Sequence, residues 1–162
     1  MDGSATDLAP LLKKSGLEIE SEVRGSSMHP ALPSGSRIRI RCGSAPSRLG
    51  DIIAIVADPA IVHRVVSHQR CRSRLYTITR GDALWFCDLP VTDDQILGIV
   101  CAQLQGDSWR APRAFESPAG FRSVLAWLSL RSMQAAICMS ERAASLVARA
   151  GGALASRRGD PA

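Results

Sequence analysis

The sequence predicts a mainly β protein with a short N-terminal helix and a C-terminal α-helical extension. Leu17–Val23 alternates apolar with polar residues, which is typical of a half-buried strand. Leu75–Thr79 is rich in aromatic and β-branched residues, which also favour strands. From Pro118 onward the β-branched alternation gives way to alanine, leucine, arginine and serine, and this change indicates a helix.

Residues 1–16 predict a short helix that begins near Thr6 or Asp7 and ends at Gly16. The first strand then runs into Gly25–Pro33, where glycine, serine and two prolines predict a turn. The next strand is expected to carry three arginines on one face: Arg37, Arg39 and Arg41.

The β-branched run Ile61–Val66 predicts a strand that contains His63, and the polar stretch His68–Arg74 predicts a solvated hairpin loop. A helix in the last third of the chain is expected to stop at Gly151-Gly152. The predicted divisions are a β domain at 1–107, a linker at 108–117, a helical extension at 118–150 and a disordered tail at 151–162.

Ser27 and His63 are the two residues whose setting suggests chemistry. Ser27 directly precedes Met28-His29-Pro30, and His63 lies in the predicted strand. A serine hydroxyl is a weak nucleophile until a neighbouring base accepts its proton. The pair therefore predicts a peptide-bond hydrolase, with Ser27 as nucleophile and His63 as general base. The plain alternative is a surface loop and a packed strand histidine.

The base can be chosen by elimination. The chain has two lysines, Lys13 and Lys14, and both precede the serine. Arginine stays protonated near neutral pH and cannot act as a base. Of the three histidines, His29 adjoins the nucleophile and His68 lies in the predicted loop. His63 is left as the base.

A third group is expected to orient the imidazole, as in catalytic triads. Asp82 and Asp88 both follow the strand 75–79, so either carboxylate could lie at its end. Gly81-Asp82 is also a common turn sequence, and this alternative stays open. The turn before the serine predicts an oxyanion hole, because it can present backbone N–H groups to a substrate carbonyl. Its residues are Gly25, Ser26 and Ser27.

Five segments in order resemble the sequence boxes of the signal peptidase I superfamily. They are Gly25–Leu32, Gly50–Ile55, Val62–Val66, Gly81-Asp82 with Asp88, and Ile96–Val100. The histidine in the base position is similar to the archaeal and endoplasmic-reticulum branch, because the bacterial branch has lysine there. The resemblance covers about residues 19–102.

The resemblance implies catalytic roles for Ser27, His63, Asp88 and Asp82. Met28 and Pro30 would belong to the substrate-binding site, Met28 in its lining and Pro30 by shaping the turn. The implied fold is a coiled β-sheet or partly open barrel in which the substrate binds as an extended strand. Small residues are the implied preference before the scissile bond.

The chain departs from the family pattern at several positions. Some members carry a serine two residues before the nucleophile that assists the oxyanion hole, and Gly25 stands there, so the Ser27 N–H would take more of that role. The family's Gly-Asp-Asn-Asn reads Gly81–Leu84 here. A membrane span needs about 20 apolar residues. Charged residues interrupt the segment before Ser27, so we expect neither an anchor nor a signal peptide there.

Composition excludes several other classes of function. The net charge of +5 comes from scattered arginines without a nucleic-acid-reading module, so no nucleic-acid partner is expected. The five cysteines are odd in number and lack Cys-x-x-Cys spacing, which indicates no metal site, no disulfide framework and a reducing cytoplasm. No cofactor is expected.

The sequence thus predicts a cytoplasmic serine endopeptidase that cleaves a leader, signal or precursor peptide. The helix at 121–150 is expected to pack on the domain, bind a partner protein or lie peripherally on a membrane. The alternative is a catalytically inactive module of the same fold that binds extended peptides. A self-cleaving regulator is disfavoured, because the chain has no DNA-reading helical domain.

Overall fold

A computed structural model describes residues 5–43, 46–57, 59–114 and 121–156. Along the chain, one helix precedes the strands and one follows them. A 3₁₀ turn at Asp93–Gln95 precedes the sixth strand. The elements are α1 (Ala5–Ser15), β1 (Glu18–Glu22), β2 (Arg37–Cys42), β3 (Ile52–Ile55), β4 (Ile61–Cys71), β5 (Arg74–Arg80), β6 (Ile96–Gln105), β7 (Ser108–Arg110) and α2 (Phe121–Ser156).

The strands form one seven-stranded sheet in the order β1-β2-β6-β3-β4-β5, with β7 paired to β6. All of the pairings are antiparallel. β1 and β5 are the two ends of the path among the described strands, so the sheet is not closed. The expectation of a mainly β chain with a helix at each end is confirmed.

Both faces of the sheet centre are covered, and β3 shows this most clearly. Its side chains are all buried, although successive residues of a strand point to opposite faces. Ile52 and Ala54 belong to one apolar cluster with Leu32 and Ile38, whereas Ile53 lies in a second cluster. The catalytic candidate on the neighbouring strand β4, His63, is therefore held by a closely packed, two-sided core.

The hairpin β4–β5 is longer than the sequence predicts. Residues 68–74 were expected to form a solvated loop, but β4 continues to Cys71, and His68 pairs with Thr77. The turn narrows to Arg72 and Ser73, and Arg72 has a φ of 54°. Antiparallel pairing is carried by backbone hydrogen bonds, so polar side chains can extend a hairpin beyond the core.

The first three residues of the predicted linker at 108–117 form a strand. Ser108–Arg110 forms β7, and Leu104 pairs with Trp109 across a turn that contains Gly106 with a φ of +60°. The Arg39 guanidinium lies 4.1 Å from the centroid of the Trp109 ring, which adds a cation–π contact. Residues 115–120 lie outside the described part of the chain.

Helix α2 continues to Ser156 and so passes the predicted stop at Gly151-Gly152. Glycine lowers helix stability by about 1 kcal/mol relative to alanine, but it ends a helix only where the backbone turns left-handed. Of the predicted disordered tail at 151–162, residues 157–162 lie outside the described residues.

The middle of α2 packs on the sheet. Ala126 and Ile137 are buried, and the Gln134 side-chain amide donates a hydrogen bond to Ser67 on β4 at 3.1 Å. Tyr76 on β5 donates a hydrogen bond to the Glu141 carboxylate. Neither of the helices in the described ranges combines the length and the apolar character needed to cross a bilayer.

Candidate active site

Ser27 lies in the turn that follows β1. The backbone of Val23 bonds to Ser36 at 2.9 Å, which closes the base of this turn, and Gly25 has a φ of +85° that favours glycine. The Met28 carbonyl then accepts from the Leu32 N–H at 2.8 Å. These bonds hold the half-buried Ser27 in a fixed position.

Met28 does not line a pocket, contrary to the expectation. Its side chain is 1% exposed and packs in the core cluster with Val23 and Leu32. The side chain next to the serine thus serves as an apolar anchor for the turn. Pro30 is exposed, and the His29–Pro30 peptide bond is cis.

Strand β4 carries His63 to the serine. His63 pairs with Ile53 of β3, and its ring is largely buried. The His63 Nε2 atom lies 2.9 Å from the Ser27 Oγ atom, although the residues are 36 positions apart in the chain. The predicted nucleophile and base are therefore within hydrogen-bond distance.

Asp88 completes a chain of three polar groups. Its Oδ2 atom lies 2.6 Å from His63 Nδ1, and the Thr79 hydroxyl donates to the same oxygen at 2.7 Å. An ionised carboxylate only accepts, so His63 carries its proton on Nδ1. In the neutral ring Nε2 is then an acceptor, and the Ser27 hydroxyl donates to it.

Asp82 does not take the orienting position that the sequence left open for it. Both of its oxygens accept from the Arg64 guanidinium, at 2.8 and 2.7 Å. Arg64 also donates to the Gly50 carbonyl at 2.8 Å and to the Arg113 carbonyl at 3.3 Å. Asp82 is thus part of a buried ion pair that connects distant loops, and Asp88 is the carboxylate next to His63.

Gly81 lets the two site segments approach closely. A Cβ atom at this position would lie 2.6 Å from the Ser27 carbonyl oxygen and 3.1 Å from His63 Nε2. Ala83, two residues after Gly81, donates its N–H to the Ser27 carbonyl at 2.8 Å. A side chain at residue 81 would therefore displace the backbone of the serine.

The turn also offers a donor for an oxyanion. None of the hydrogen bonds among the described residues uses the Ser27 N–H. Gly25 and Ser26, the other residues expected in an oxyanion hole, are exposed in the same turn. A backbone N–H without an intramolecular acceptor is the type of donor that stabilises the oxyanion of a tetrahedral intermediate.

The Cys87 thiol lies next to Asp88 in the sequence, and its surroundings make it unreactive. Burial raises the pKa of the Cys87 thiol, so this neighbour of Asp88 stays protonated and is a poor nucleophile. All five cysteines are free. The described part of the chain contains no cluster of three histidine, cysteine or acidic side chains that could hold a metal ion.

Sequence reasoning assigned no role to Arg64, Thr79 or Gly81. The sequence did contain a signal for Arg64 and Thr79. An arginine inside a buried strand needs hydrogen-bond acceptors, and so does the hydroxyl of a threonine there. Comparison of the chain with protein-family models and with curated proteins gave no match. The site must therefore be interpreted from its own geometry.

Proposed function

We propose that the protein is a serine endopeptidase of the signal peptidase I type, with Ser27 as nucleophile, His63 as general base and Asp88 as orienting acid. The supporting observation is the unbroken hydrogen-bond chain from Asp88 through His63 to Ser27, at 2.6 and 2.9 Å. The open antiparallel sheet agrees with the coiled β fold of that superfamily.

The chemistry follows from the positions of the protons. The Ser27 Oγ atom attacks the peptide carbonyl carbon while its proton moves to His63 Nε2, and the negative charge on the carbonyl oxygen faces the Ser27 N–H. The Asp88 carboxylate stabilises the imidazolium that forms. His63 then gives the proton to the leaving amine, and the C–N bond breaks.

The second half of the cycle regenerates the enzyme. His63 takes a proton from a water molecule, which attacks the acyl group on Ser27 and releases the new carboxyl terminus. The Ser27 oxygen regains its proton from His63. The reaction needs no cofactor, because these steps transfer only protons and the acyl group.

The proposed substrate is a leader, signal or precursor peptide bound as an extended strand. An extended peptide can pair by its backbone with a sheet edge and place alternate side chains in pockets. We propose that the protein meets this substrate in the cytoplasm, which the five free cysteines favour.

The test is cleavage of a peptide library by the purified protein, with the cut sites read by mass spectrometry. Ser27→Ala and His63→Ala should lower kcat by about 10⁴-fold or more, as loss of triad members does in serine peptidases. Ser34→Ala, at an exposed serine of the same loop, is the matched control and should cleave normally. Circular dichroism checks that each variant is folded.

Equal cleavage by the wild type and the Ser27→Ala variant would disprove the proposal. Peptide binding without cleavage by any form would instead favour the inactive recognition module.

A further inference from the structure

The segment between Asp82 and Asp88 has an unusual surface. Leu84, Trp85 and Phe86 are three consecutive large apolar residues that all stay exposed, and Leu89 follows with 79% of its surface exposed. Single exposed apolar residues are common in proteins and need no explanation. A run of them on one segment is typical of a surface that binds another molecule.

The segment is held at both ends, so its exposure does not come from a loosely placed loop. The Ala83 N–H donates to the Ser27 carbonyl at 2.8 Å, which fixes the start of the segment on the nucleophile turn. The Cys87 N–H donates to the Ser129 hydroxyl of α2 at 2.8 Å. The apolar side chains are therefore presented from a backbone that is tied to the catalytic turn and to the helix.

Leu84 is the member of this run that lies beside the reacting atoms. A Cβ atom built on Gly81 would be 3.1 Å from Leu84 Cδ1 and also 3.1 Å from His63 Nε2. Leu84 Cδ1 and His63 Nε2 are therefore separated by at most twice 3.1 Å. His63 Nε2 is the atom that would receive the Ser27 proton, so Leu84 lies close to where the scissile bond of a bound peptide would be.

From this placement, which rests on the proposed peptidase activity, we infer that the substrate carries a large apolar side chain within two residues of its scissile bond, at a position other than the small residue directly before it. Leu84 contacts this side chain and is the residue that selects it. Trp85 and Phe86 extend the same apolar surface along the segment.

The selection follows from solvation. An aliphatic or aromatic substrate side chain that packs on Leu84 removes apolar surface from water on both molecules. A charged or amide side chain at the same subsite would lose water without gaining a hydrogen-bond partner there, so it binds less well. Discrimination by apolar contact of this kind typically reaches about tenfold or more in kcat/KM.

The experiment uses the full chain and one cleaved peptide identified from the library. The second residue before its cut and the two residues after it are replaced one at a time by leucine, phenylalanine, asparagine, glutamate and lysine. At one of these positions, the wild type should cleave the leucine and phenylalanine peptides about tenfold faster in kcat/KM than the asparagine peptide.

Two variants test Leu84 directly. Leu84→Asn should abolish the preference for the apolar residue at that position. Leu84→Glu should make the lysine peptide the better substrate, because a carboxylate attracts the ammonium group. Leu17→Asn is the matched control at another exposed leucine, which lies directly before the edge strand β1, and it should keep the wild-type preference.

The outcomes separate the two claims. Cleavage without any apolar preference, or a preference that both Leu84 variants retain, would overturn the inference and leave the peptidase activity standing. Absence of Ser27-dependent cleavage of every peptide would overturn the proposed function and this inference together. A lysine preference in Leu84→Glu cannot arise from misfolding, so this variant supports the inference even if Leu84→Asn is unstable.

Discussion

Two consecutive residues of β4, His63 and Arg64, face opposite sides of the sheet, and each has its own aspartate. His63 pairs across the sheet with Ile53, and Arg64 pairs with Ile52, which belong to different apolar clusters. His63 lies 2.6 Å from Asp88, and Arg64 lies 2.7 Å from the carboxylate of Asp82. The two pairs are similar in distance and differ in what surrounds them.

The difference lies in the other partners of the two basic side chains. Arg64 is 2% exposed, and it also donates to the backbone carbonyls of Gly50 and Arg113. His63 directs its second nitrogen to the Ser27 hydroxyl, which is a nucleophile once its proton is accepted. A pair that is bonded to backbone carbonyls of other segments stabilises the fold, whereas a pair that ends on a serine hydroxyl has a group that can act as a nucleophile.

The largest expected loss of stability comes from breaking the structural pair. Arg64→Met should lower the free energy of unfolding by about 3 kcal/mol, because it leaves the Asp82 carboxylate largely buried without its cation. Urea denaturation measures the change. Arg37→Met is the matched control, since Arg37 is an exposed arginine whose ion pair with Glu20 lies in solvent, and it should change stability little. Equal losses in both variants would contradict the structural role of the Arg64 pair.

Gly81→Ala tests the His63 pair by disturbing its contact with Ser27. The new methyl group would stand 2.6 Å from the Ser27 carbonyl, so the serine turn must shift away from His63. A displacement near 1 Å lowers the rate by about 100-fold in well-positioned sites. We expect that loss in kcat, measured by peptide cleavage.

Gly98→Ala is the contrast to this variant, because a Cβ atom there would clash with the backbone of Arg41, on a strand that carries no site residue. It should reduce stability without a specific loss of kcat in the folded fraction. Normal kcat in Gly81→Ala would show that the serine turn tolerates the shift.

The smallest expected effect concerns Thr79, which is fully buried and donates to Asp88. Thr79→Val keeps the shape and removes the hydroxyl, so Asp88 loses one of the groups that hold it against His63. A hydrogen bond to a charged group contributes about 1.5 kcal/mol, which corresponds to about tenfold in kcat with KM unchanged. Thr79→Ser restores the donor and should recover most of the rate. A Ser variant as slow as the Val variant would show that only packing matters.

The sequence was sufficient to predict local features. Gly16 ends α1 as expected, and its φ of +66° is the left-handed conformation that glycine favours. The alternation in Leu17–Val23 predicts β1, and Ser27, His63 and Asp88 were all named as candidates from their settings. These features depend on a few neighbouring residues, which the sequence displays directly.

Features that depend on distant partners could not be derived. Asp82 and Asp88 lie on the same segment, and only the fold decides that Arg64 takes the first and His63 the second. The family resemblance implied that Met28 lines the substrate pocket, but the turn folds its side chain into the core. The strand β7 exists because β6 offers it a partner, which three residues alone do not reveal.

The central claim is that the two aspartates have separate tasks, and the direct test is a parallel measurement on Asp88→Asn and Asp82→Asn. For each variant, kcat for peptide cleavage and the free energy of unfolding are measured on the same preparation. Asp88→Asn should lose about 10³-fold or more in kcat and keep its stability, because the amide cannot stabilise the imidazolium. Asp82→Asn should lose stability and keep most of its kcat while folded. Full activity in Asp88→Asn, or loss of cleavage in a folded Asp82→Asn, would contradict the account.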